Sequence, residues 1–247
     1  MTSEANRWKP KAAETVARRV VETIVQKGLT NGDRLPREAE MVEEFGVSRE
    51  TLREALRLLE TQRLIALRRG PGGGPVVAEA ASVNLGRIST LYFQMVGATY
   101  RELVEAWSLA EELLAARAAS NADSRLRAAV MAPYLDQSGD VQDVSSLDTF
   151  MSMHTGFHDA LGELGGNRVL HLSLASFGQI VSYQADVIED PRLFRQLIYD
   201  DHAKVARAVA AGRHRAAREL MREHIEGMWA QCRSQVMADH GEAVRWL

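Results

Sequence analysis

The chain has 247 residues, 46% hydrophobic and 26% charged, with a formal net charge of −3 and one cysteine, Cys232. That is the composition of an ordinary globular protein with length enough for two modest cores. It excludes a disulfide framework, a cysteine-rich zinc site and a uniformly basic nucleic-acid coat.

The first residues, "MTSEANRWKPKAAET", hold no apolar leader core, and no later run nears the ~20 apolar residues of a membrane span. A cytoplasmic protein with no membrane attachment is expected. Val16, Val20 and Ile24 then recur at helical spacing, and Gly28 ends the pattern. "TNGDRLP" is a turn cluster before a second short helix, roughly residues 37–45. Gly46 precedes a third helix, and two short strands, 64–69 and 75–79, flank the tip "GPGGG". Three helices and a glycine-tipped β-ribbon make a winged unit. Basic and acidic side chains number 14 and 12 in residues 1–80, against 16 and 21 afterwards. By itself that difference fits ordinary surface charge.

The third helix, "GVSRETLREALRLLE", carries two stripes. Ser48 suits the N-cap, and Val47 can staple against Leu52. Leu52, Leu56 and Leu59, with Ala55 beside them, form one stripe; Arg49, Arg53 and Arg57 form another about 110° away. On an isolated helix the arginines would read as a solvated face paired with Glu50, Glu54 and Glu60. Behind a short helix and a Gly46 turn, they mark the second helix of a helix-turn-helix, the one that enters the major groove. Arginine suits that place because its planar fork matches guanine edges and also grips phosphate.

Residues 11–79 resemble the DNA-binding domain of the GntR family of bacterial winged-helix repressors. "GDRLPREAEMVEEFGVSRETLREALRLLETQRLI" follows that pattern almost throughout, including the LP turn, the VSR entry and the wing. The resemblance implies contacts to double-stranded operator DNA from Ser48, Arg49, Glu50, Thr51 and Arg53, and from Arg69 and Gly70 at the wing. Ala39 stands where the family often has Arg, so that contact is either lost or supplied by Arg37. "RRGPGGGP" replaces a wing ending that usually carries Thr and an aromatic.

After Glu79 only helical periodicity is found, broken at "QSGD", "GGN", "EDP" and "AAGR". The fold class expected is mainly α: a winged helix-turn-helix over residues 1–80, a linker or first helix over 81–97, and an all-helical bundle of about six or seven helices over 98–240. In "LDTFMSMHTGFHDAL" the apolar stripe runs Leu147, Phe150, Met151, Phe157, Leu161, with His154 and His158 filling the positions between. His202 keeps register with Val205, Ala206 and Val209, and His224 with Leu220, Met221 and Met228. Ten and twelve residues separate these two from Gly212, so a helical hairpin levels them. A lone inward histidine is usually a hydrogen-bonded core residue. Four together leave several ring nitrogens to satisfy in an apolar bundle, and one divalent metal does so at once. His171, His214 and His240 do not join the pattern.

This half, roughly residues 98–232, resembles the FCD ligand-binding domain of FadR-like regulators. The resemblance implies metal ligands at His158, His202 and His224, with His154 where the family holds Asp or Asn. An all-histidine set favours Zn²⁺ or Ni²⁺ over Mn²⁺ or Mg²⁺. Trp107 stands where the family usually has Arg, which implies a reshaped effector pocket. Gln179 and Tyr183 are polar groups on an inner helix and are taken with Trp107 as effector-binding candidates. The expectation is a homodimeric repressor that senses a small carboxylic acid at the metal. Two alternatives stay open: a closed, structural metal site, and a metal hydrolase with Glu163, Asp159 or Glu223 as base.

Overall fold

The computed structural model describes residues 11–70, 73–79, 81–135, 147–185 and 192–246. The wing tip at 71–72 and the breaks "QSGD" and "EDP" lie outside the described residues, as do the side chains of Leu147, Phe150 and Met151. The chain forms two compact units, Met1–Asn84 and Leu85–Leu247.

In the first unit, α1 (Ala12–Gln26), α2 (Glu38–Phe45) and α3 (Arg49–Thr61) precede an antiparallel ribbon of β1 (Ile65–Arg68) and β2 (Gly74–Val77). Val16 and Val20 of α1 bury against Leu52, Leu56 and Leu59 of α3, with Met41 and Phe45 of α2 closing the core. Gly46 takes φ +65° after α2, a left-handed cap that costs glycine nothing and a branched residue much. Ser48 then caps α3, its hydroxyl accepting from the Thr51 amide at 3.1 Å. Val47 packs on the same core as Leu52, the staple expected from sequence.

The strands are a residue or two shorter than expected, and the chain before α2 pairs with the outer edge of β2. Leu35 donates to the Pro75 carbonyl at 3.0 Å and Val77 to that of Asp33 at 2.9 Å. Near the tip, a Cβ on Gly73 would lie 2.4 Å from the Arg68 carbonyl, so only glycine fits there.

The second unit is helical: α4 (Ser82–Met95, whose first turn precedes the boundary), α5 (Tyr100–Ala119), α6 (Ser124–Met131), a 3-10 turn (Ala132–Tyr134), α7 (Leu147–Gly165), α8 (Arg168–Ala185), α9 (Arg192–Ala210) and α10 (His214–His240). Among the described residues that is seven α-helices, at the upper end of the expected range. Thr99 caps α5 reciprocally with Glu102. α5 is the central element and packs against α7, α8, α9 and α10. Leu114, Phe157, Leu161, Val205, Val209 and Met221 form the core around it, none with any exposed surface. No described helix is long and apolar enough to cross a membrane.

Leu52 of α3 is fully buried in the smaller core, which α1 also lines. Leu52→Ala should destabilise the first unit by about 2–5 kcal/mol. Urea denaturation followed on residues of that unit should show its midpoint fall while the helical unit's transition stays in place.

Candidate functional site

His154 and His158 lie one turn apart on α7, His202 on the inner face of α9 and His224 on that of α10. The turn at Ala211–Arg213, with Gly212 at φ +70°, levels the last two, so that their ring centroids are 4.7 Å apart. Phe157 stacks on His202 at 3.9 Å and fixes its ring. His154, His202 and His224 are buried, and the His158 side chain is 11% exposed. One ring nitrogen from each of the four lies within 4.8 Å of those of the other three. Two imidazole nitrogens on one tetrahedral ion lie about 3.4 Å apart, so the rings would close by up to roughly 1.4 Å to bring this set onto one centre.

The donor chemistry fits a cation. Nε2 of His158, of His202 and of His224 are buried with no hydrogen-bond partner among the described residues. Buried polar atoms are rarely left so, and each lone pair is available to a metal. Burial, reinforced by neighbouring imidazoles, holds His154 and His202 well below the usual histidine pKa of 6.5. Burial also lowers that of His224, with the Asp201 carboxylate pulling the other way. At neutral pH these three rings are uncharged, the state that ligates.

Two acidic residues that sequence reasoning missed surround the cluster. Glu111 of α5 is 1% exposed, and its Oε1 accepts from Trp107 Nε1 at 3.2 Å. The same oxygen is 3.1 Å from His158 Nδ1, within ion-pair distance but without the alignment of a hydrogen bond. Asp201 Oδ2 lies 3.8 Å from His224 Nδ1, a charge contact longer than a hydrogen bond. Carboxylates beside ligating histidines orient the ring and raise its basicity. A signal for Glu111 was present in "EAWSLAEELLAA": it falls at i+4 from Trp107 and three residues before Leu114, inside the apolar stripe.

A small cavity, about 30 Å³ in volume, borders the cluster. His154, His158, Trp107, Glu111, Leu174 and Gln179 are among its walls, and Asp159 and His171, paired at 3.0 Å, also line it. Of the effector candidates, Trp107 and Gln179 line the cavity and Tyr183 does not. Ala175, Gly178, Gln179 and Ser182 form the α8 stripe facing the cavity, whereas Tyr183, about 100° round from Ser182, is 58% exposed and outside the lining. Of the hydrolase candidates, Glu163 and Glu223 are exposed. His214 is exposed, and the His240 side chain lies outside the described residues.

In the first unit, Arg37, Ser48, Arg49, Glu50, Arg53, Arg69 and Gly70 are exposed and Thr51 half-buried. Arg49, Glu50, Thr51 and Arg53 cluster at the start of α3, and Ser48 is engaged as its cap. Arg53 Nε donates to Glu38 Oε2 at 3.1 Å, an exposed pair. Arg69 and Gly70 follow β1 toward the wing tip.

Residues 12–74 match the family described as bacterial regulatory proteins, gntR family, and residues 102–227 match the FCD domain. The chain is similar to the Uxu operon transcriptional regulator of Escherichia coli (strain K12), 26% identical over 231 residues that make up 87% of this chain and 84% of that protein. It is also similar to the Uxu operon regulator of Haemophilus influenzae, 27% identical over 207 residues, 80% of this chain and 73% of that one. Among solved structures, Streptococcus agalactiae GntR shares the fold, with a TM-score of 0.68 at 21% identity over 89% of this chain and 99% of that chain.

Elemental analysis of the purified protein should find about one equivalent of a transition metal, and His202→Ala or His224→Ala should weaken its retention at least about tenfold. Metal-free wild type that gains no thermal stability from Zn²⁺ or Ni²⁺ would remove the centre.

Proposed function

The chain belongs to the GntR family of bacterial regulatory proteins, with an FCD domain, and is a DNA-binding transcriptional regulator; on that premise we propose that it is a homodimeric repressor whose hold on operator DNA is set by a small carboxylic acid bound at a metal in its helical unit. One observation carries the sensing part: two of the four histidines, His154 and His158, also line a cavity. A purely structural ion is enclosed by its ligands, whereas one held here borders a small cavity, about 30 Å³, which an effector must widen to enter. Four imidazoles suit Zn²⁺ or Ni²⁺. A carboxylate supplied by the effector would complete such a coordination sphere.

The second unit supports a route from cavity to partner. α5 presents Trp107 and Glu111 to the cavity, while Leu109 and Leu113 of the same helix are 58% and 52% exposed. Ile88, Leu91, Tyr92 and Met95 of α4 are exposed as well. Apolar side chains concentrated on neighbouring helices suit a subunit interface. A ligand that repositions α5 alters how two copies meet, and thereby the spacing of paired recognition helices on an operator of fixed half-site separation.

On the DNA side, Arg49, Glu50, Thr51 and Arg53 would contact base edges, and Arg37, Ser48, Arg69 and Gly70 the backbone. Exchanging the exposed Glu38 pair of Arg53 for DNA costs little, since such pairs are worth about 0–1 kcal/mol.

On duplexes selected from a random pool, Arg49→Ala should weaken binding by about 1–3 kcal/mol and relax base preference at one position per half-site. Unchanged gel-shift affinity would remove the recognition-helix assignment. A thermal-shift screen of small carboxylic acids on the metal-loaded protein should give hits that vanish in His202→Ala and alter the gel shift. Acids that leave both readouts unmoved with metal retained would establish the structural-metal alternative; a hit consumed over time would establish the hydrolase.

A further inference from the structure

Within that sensing reading, on which this inference rests, we infer that Glu111 selects the effector: it restricts the cavity to monocarboxylic acids that carry a hydrogen-bond donor, a hydroxyl or an ammonium group, beside the metal-binding carboxylate.

Glu111 lines the cavity and is almost wholly buried. Its first oxygen is occupied by the Trp107 indole N–H at 3.2 Å and approached by His158 Nδ1 at 3.1 Å. Its second oxygen, Oε2, is buried with no hydrogen-bond partner among the described residues. A buried carboxylate oxygen has no donor of its own to offer. It needs one from whatever occupies the neighbouring space, and leaving it unmet is costly. The need is sharpened by what the walls omit. No lysine or arginine is among the lining residues, and Trp107 neutralises nothing. Asp159, the other acid there, already faces His171 at 3.0 Å. A second carboxylate on the ligand would therefore meet the Glu111 carboxylate with no cation between them, and a plain alkyl group would leave Oε2 unsatisfied. A hydroxyl or ammonium hydrogen meets both conditions. Sites built to pair a polar ligand group reject the analogue lacking it far more strongly than apolar pockets reject a missing methylene.

The test uses the full chain loaded with Zn²⁺ and four matched probes: butyrate, 2-hydroxybutyrate, 2-aminobutyrate and succinate. Calorimetry should show at least one of the two donor-bearing acids binding about tenfold or more tighter than butyrate, and succinate weakest. Separate hydroxyl and ammonium arms identify which donor the site takes. In Glu111→Gln, whose amide can itself donate, that advantage should fall at least about tenfold and succinate should gain, with metal content measured alongside. Butyrate binding wild type as well as the donor-bearing acids overturns the inference whether or not the variant folds, and leaves acid sensing standing. So does an unchanged preference in folded, metal-loaded Glu111→Gln. A wild-type preference for succinate overturns it too. No binding by any acid, with metal retained, removes the sensing reading and this inference together.

Discussion

Four imidazoles buried on one spot inside an apolar helical bundle are the constraint on which the second unit depends. Each ring has two nitrogens to satisfy, and the surrounding core of Phe157, Leu161, Val205 and Met221 offers almost nothing to bond with. Burial keeps three of the rings neutral, so they cannot relieve the problem by charging. A shared metal ion would relieve it, and three helices are spaced so that one ring nitrogen from each histidine lies within 4.8 Å of the rest.

A second polar layer surrounds that centre. Glu111 and Asp201 approach the outer nitrogens of His158 and His224, and Trp107 anchors Glu111. The layer is unequal. Asp201 is shared with Lys204 near the surface, whereas Glu111 is buried and its second oxygen has no hydrogen-bond partner among the described residues. Buried polar atoms are rarely left unsatisfied. Cavity, cluster and carboxylate thus form one polar system inside the bundle, with α5 as its common wall.

The winged unit works by separating tasks along α3. Leucines on one face bind the helix into a core with α1, and the arginines on the other do no packing. The pairing of the Asp33–Leu35 segment with β2 ties the start of the helix-turn-helix to the wing. The two DNA-facing elements are thereby held by backbone hydrogen bonds as well as by side-chain packing.

Much of this was legible in the chain itself. The stripe of Leu52, Leu56 and Leu59, the Ser48 cap and the Gly46 turn are local signals, and periods of 3.6 residues carry them without reference to distant residues. The convergence of His154, His158, His202 and His224 was readable for the same reason: two share a helix face, and two lie at nearly equal distances from a turn. Glu111 and Asp201 were hidden, because an acidic residue in a helix reads as solvated until a neighbouring helix covers it. The exposure of Tyr183 was hidden too, since α8 is apolar on several sides and only its packing decides which stripe faces the cavity. Sequence therefore determined the elements, their inward faces and the convergence of the four histidine rings. The tertiary structure decided which charges are buried beside those rings and where the cavity opens, because burial depends on the packing of helices far apart in the chain.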